Sequence, residues 1–172
     1  MEPLITLVGV TLVLRAIGTF GARPLRHFPT ALRGGLAAMF LLTGTVHFVG
    51  MREELVAMVP GFLPAPELIV TLTGVAELAA AIGLLIPRTA LLAASGLTAL
   101  LVVMFPANVA LALSGQPIPW YDELPWRTLM QLVFLAATIT VVIDRYRAWN
   151  STRRMPRTDV PAQASVGAPS GS

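Results

Sequence analysis

Five apolar stretches parted by prolines constrain this chain more than any other feature. A helix crossing the hydrocarbon core of a membrane, about 30 Å thick, needs about 20 mostly apolar residues. Residues 4–20, 32–50, 67–86, 89–113 and 126–143 reach or approach that length. Pro24 and Pro29 fall in the first gap, and Pro60, Pro64 and Pro66 in the second. Pro87 marks the third, and Pro117, Pro119 and Pro125 the fourth. Proline lacks an N–H and breaks helices, so it sets these boundaries independently of hydropathy. Only Pro106 lies inside a stretch, where it is expected to kink the helix. The strands of an outer-membrane barrel would alternate apolar and polar residues. Here runs such as 78–86 are apolar on both parities, so the expected class is all-α, a polytopic transmembrane bundle.

Composition agrees. Apolar residues make up 55% of the 172, charged residues only 12%, and the mean hydropathy is +0.74. Soluble domains carry about a quarter charged residues, so the composition argues against a soluble enzyme. Cysteine is absent, which removes disulfides, thiolate metal sites and thiol redox chemistry. Two histidines are too few for a His-rich metal cluster, and no phosphate-cradling glycine motif or nucleophile elbow occurs. The net charge of +3 reflects membrane topology rather than nucleic-acid binding.

All 12 basic residues are arginine, and their placement is lopsided. With five spans and the N-terminus outside, Arg23, Arg26, Arg33, Arg88, Arg145, Arg147, Arg153, Arg154 and Arg157 fall on the inner side. Arg15 snorkels to join them. The outer side holds Arg52 and Arg127 with Glu2, Glu53, Glu54, Glu67, Asp122 and Glu123. Nine arginines against two fit the positive-inside rule. Trp120, Tyr121 and Trp126 would form an outer aromatic belt, and Tyr146 and Trp149 an inner one. The start, Met1-Glu2-Pro3, lacks the positive n-region of a cleavable signal. The first stretch therefore reads as a retained helix, or as one lying on the inner surface because Arg15 interrupts it. From about Ser151 onward the Pro-, Ser-, Ala- and Gly-rich chain reads as disordered.

Polar residues inside spans are expensive and need a reason. Glu77 sits about 16 Å deep, where an ionised side chain costs on the order of 3 kcal/mol. It is expected to be protonated, or to face a cavity or a partner. Bonding across a helix contact is the alternative to a functional role. His47 shares a face with Thr43, four residues earlier, and reads equally as an interfacial histidine satisfied by backbone. Asn108 follows Pro106 and would satisfy groups around the kink, while Gln131 stands one turn from Arg127 and is ordinarily interhelical glue. His47, Asn108 and Gln131 lie within about 6–9 Å of the outer boundary, with Glu77 below them. They come from four different helices, so an outward-facing polar pocket with a carboxyl at its floor is expected. Ala79 and Gly83 form a small-xxx-small pair that would let helices approach closely. The seven methionines read as core fillers.

From residue 32 to 143 the chain resembles the DoxX family of small bacterial membrane proteins. The likeness rests on Gly44-Thr45-Val46-His47-Phe48, Val59-Pro60, Leu63-Pro64-Ala65-Pro66-Glu67 and Thr73-Gly74-Val75-Ala76-Glu77. Gly83-Leu84-Leu85-Ile86-Pro87, Phe105-Pro106-Ala107-Asn108, Pro125 and Gln131 continue it in order. The resemblance implies a four-helix DoxX-like core over 32–145 in a bacterial inner membrane. An extra N-terminal helix and loop (1–31) precede it, and a disordered cytoplasmic tail (146–172) follows. Some DoxX relatives are subunits of a thiosulfate:quinone oxidoreductase. Two functions are therefore expected. One is a redox-linked subunit working with a partner protein, holding a quinone or another small hydrophobic molecule non-covalently. There Glu77 and His47 would handle protons and Asn108 and Gln131 would orient the ligand, while Arg52 or Arg127 would attract an anionic substrate. The other is a non-catalytic membrane scaffold or assembly partner, in which the same residues hold helices together.

Overall fold

The computed structural model describes residues 1–61, 63–113 and 123–154. Its elements are α1 (Glu2–Phe20), a 3-10 turn (Arg23–Arg26), α2 (Phe28–Val46), α3 (Arg52–Ala57), α4 (Pro66–Leu85), α5 (Ala90–Ala112) and α6 (Leu124–Arg154). No strand occurs among the described residues. Prolines open the helices as well as separating them: Pro3, Pro29 and Pro66 stand in the first turns of α1, α2 and α4. A first-turn N–H has no intrahelical partner, so proline there costs nothing. For that reason α2 begins four residues before the expected 32, and it ends at Val46 rather than at 50.

The helix α2 is the hub. It packs against α1, α4 and α6, while α4 packs on α5 and α5 on α6. The four helices α2, α4, α5 and α6 thus close a bundle, and α1 lies outside it against α2. The α1–α2 crossing is tight because Gly35 faces α1. A Cβ there would strike Thr11 Oγ1 and would sit 2.7 Å from the Leu7 carbonyl oxygen.

Alanines and a few large apolar residues share the interior, and many more large apolar residues cover the outside. Ala31, Ala81, Ala90, Ala94 and Thr138 are fully buried, together with Leu36, Leu84 and Leu97. Leu72, Val75, Ile82, Leu92, Val103, Leu132 and Ile139 point outward. Water would not tolerate so large an apolar surface, whereas helices in lipid pack through their small faces. Four helices are long and apolar enough to cross a membrane, namely α1, α4, α5 and α6. These helices mark a membrane protein. The helix α2 carries Pro29 and Arg33 in its first half and is not among the four.

Two expectations shift at the end of the chain. The last helix passes the apolar boundary at Ile143 and continues to Arg154, so residues 146–154 are helical rather than tail. Side chains on one face support the extension: the Arg153 guanidinium lies 3.8 Å from the Trp149 ring centroid. Tyr146 and Trp149 have centroids 6.1 Å apart. Contacts at i, i+3 and i, i+4 stabilise such a polar helical end. The expected disorder of 155–172, together with Trp120, Tyr121, Asp122, Pro117, Pro119 and Arg157, lies outside the described residues.

Candidate functional site

The polar residues gather at the α2–α4 crossing because two glycines let these helices meet. A Cβ at Gly74 would come within 2.6 Å of His47 Cβ and 2.9 Å of Phe48 Cε2. One at Gly44 would lie 2.9 Å from Leu78 Cδ2 and 3.2 Å from Glu77 Cβ. With neither Cβ present, Thr43 on α2 reaches Glu77 on α4.

Thr43 is the node of the cluster. Its hydroxyl donates to Glu77 Oε2 at 2.6 Å, and its carbonyl accepts from His47 Nδ1 at 2.8 Å. A carbonyl only accepts, so this bond assigns the His47 proton to Nδ1. Both Glu77 and His47 are buried. His47 is the first residue past α2, and the backbone of its own helix satisfies its Nδ1.

Arg52 closes the α2 end of the cluster. Its Nη1 donates to the His47 carbonyl at 3.2 Å, and its Nη2 donates to Thr71 Oγ1 at 3.0 Å and to the Glu67 carbonyl at 3.4 Å. A cation at the C-terminus of α2 complements the helix dipole. The guanidinium expected to attract an anionic substrate is therefore engaged in joining the end of α2 to the first turns of α4.

A second pair ties α5 to α6. Arg127 Nη1 donates to Asn108 Oδ1 at 2.9 Å, and Gln131 Nε2 donates to the Leu101 carbonyl at 2.7 Å. Around Pro106 it is Gln131 rather than Asn108 that reaches backbone in the turn before the proline, and Asn108 accepts from Arg127.

The six candidates thus divide between two helix crossings: Glu77 and Arg52 bond across α2–α4 with His47 beside them, and Asn108, Arg127 and Gln131 bond across α5–α6. Among the described residues, every buried side-chain nitrogen or oxygen has a hydrogen-bond partner. No three His, Cys, Asp or Glu of these residues gather as a metal site. The Ala79–Gly83 pair is not one contact. Ala79 faces outward, and a Cβ on Gly83 would meet Ala93 of α5 at 3.0 Å. Thr71, Gly44 and Gly74 escape polarity-based reasoning. The two glycines stand three residues before His47 and Glu77, and that spacing is the signal that would find them.

A protein-family model described as a domain of unknown function, DUF8561, matches residues 36–142. The chain belongs to this family. The DUF8561 region runs from α2 into α6, takes in all six candidate residues and leaves α1 outside. No curated protein and no solved structure matches the chain.

Proposed function

We propose that this DUF8561 protein is a non-catalytic scaffold or assembly partner in a bacterial inner membrane. Its polar residues fix which helices pair. One observation carries this reading: the buried polar side chains are hydrogen-bonded within the chain, and the two ties join helices in pairs. In this reading α2 crosses the membrane with the other four long helices, and the N-terminus lies outside. Trp126 and Tyr146 support the placement, being exposed on α6 and 20 residues apart, about 30 Å along a helix. The DoxX likeness belongs to the same proposal and rests on the order and spacing of its motifs.

A second reading keeps the redox-linked role. It draws on the depth of Glu77, where a charge costs on the order of 3 kcal/mol, more than the ~0.6 kcal/mol an average interhelical bond returns. A residue so costly would then serve a quinone or another small hydrophobic ligand, with His47 beside it.

Mass spectrometry of the protein purified in mild detergent distinguishes the two. The scaffold reading predicts co-purifying protein subunits, ordinary phospholipid and no quinone, unchanged by Glu77→Gln. A quinone retained by the wild type and lost from Glu77→Gln would establish the redox reading instead.

A further inference from the structure

Outside the four-helix bundle, α1, α2 and α6 enclose a groove of about 330 Å³. Val8 and Leu12 of α1, Phe28 and Leu32 of α2, and Ala137 and Thr140 of α6 are among its walls. The walls are apolar save for threonine hydroxyls, and those of Thr11 and Thr140 bond their own helices. The groove therefore offers hydrocarbon contact and no polar partner. It spans residues 133–140 of α6, about 10 Å of helix.

One end of the groove is cationic. Arg15 follows Val8 and Leu12 on the same face of α1, is exposed, and lies 5.6 Å from the centroid of Phe28. It sits five residues from the end of α1, about 7.5 Å along the helix. That is the depth at which an arginine snorkels to lipid phosphates. Asp144, one turn beyond Thr140, is neutralised by Arg145 at 2.5 Å and faces His27 at 3.8 Å. Arg23, Arg26 and Arg33 belong to this end as well.

We propose that this groove holds one acyl chain of an anionic phospholipid whose phosphate pairs with Arg15. The occupant follows from charge complementarity: an apolar slot in the membrane ends in arginines whose one described acidic neighbour is already paired. The inference goes beyond the scaffold reading and requires only that α1 and α6 cross the membrane.

The test is native mass spectrometry of the full chain in mild detergent, titrated with phosphatidylglycerol and phosphatidylcholine of matched acyl chains. Phosphatidylglycerol should bind at least about five-fold tighter, and Arg15→Gln should erase about that factor while leaving phosphatidylcholine unchanged. Val8→Trp, an exposed position that would fill the slot, should weaken both lipids. Equal binding of the two lipids by the wild type would overturn the proposal, whatever the folding of the variants. So would an unchanged preference in folded Arg15→Gln. A concentration-dependent dimer that excludes lipid and is abolished by Val8→Trp would overturn it in favour of a second copy of the chain.

Discussion

At the scale of single residues, a few polar side chains, Thr43, Glu77, Arg127 and Gln131 among them, reach neighbouring helices, and at the α2–α4 crossing glycine makes the reach possible. Gly74 shows the dependence most clearly, because its missing Cβ leaves room for His47 and Phe48. Gly74→Ala should destabilise the protein by about 1–3 kcal/mol through overpacking, read as a lower midpoint of thermal unfolding in detergent. An unchanged midpoint would mean that α2 and α4 cross less closely. Arg52→Gln should cost less, about 0.3–1 kcal/mol, since its part-exposed guanidinium complements a helix end. Polarity and depth were enough to mark His47, Glu77, Asn108 and Gln131 in the sequence. Thr43, which accepts from His47, was legible from its i, i+4 spacing; the interhelical partners were not, because partner choice depends on helix rotation. The Gln131–Leu101 bond illustrates this, joining a side chain to a carbonyl 30 residues away that no motif announces.

At the scale of elements, proline and apolar length made the five long helices readable. The errors at their ends have two physical sources. A first-turn proline such as Pro29 reads as linker in the sequence yet opens α2, four residues before the apolar run at 32. The polar end of α6 has no apolar period and so reads as tail, although Trp149 under Arg153 and Tyr146 beside it sustain the helix. Trp149→Ala should therefore fray the last turns of α6, seen as faster amide exchange beyond Asp144 with the buried part of α6 unchanged. Equal exchange in both proteins would show that the extension does not depend on that ring. The α5–α6 tie is tested by Gln131→Leu. Removing its donor from the Leu101 carbonyl should cost about 1 kcal/mol of unfolding free energy, and a stabilised variant would contradict the assignment.

At the scale of the whole molecule, alanines share the interior with Leu36, Met39, Leu84, Leu97 and Val141, while a wide outer surface of leucine, isoleucine and valine stays exposed. That apolar exterior was legible in the composition. The hub position of α2 was not, because a helix enclosed by three others tolerates Arg33 and a lower apolarity than a lipid-facing one. Grouping of the arginines at one end also follows from the packing, with His27 and Arg145 meeting at Asp144. The absence of cysteine makes orientation simple to test. With single substitutions Glu53→Cys and Arg147→Cys, a membrane-impermeant maleimide should label only the former in intact cells; the reverse pattern would invert the proposed orientation. If buried polar pairs hold this bundle together, a double-mutant cycle between Thr43→Val and Glu77→Ala must reveal it. Unfolding free energies in detergent should show a coupling of about 0.6–1.7 kcal/mol between the two positions. Strictly additive effects would mean that Thr43 and Glu77 do not tie α2 to α4.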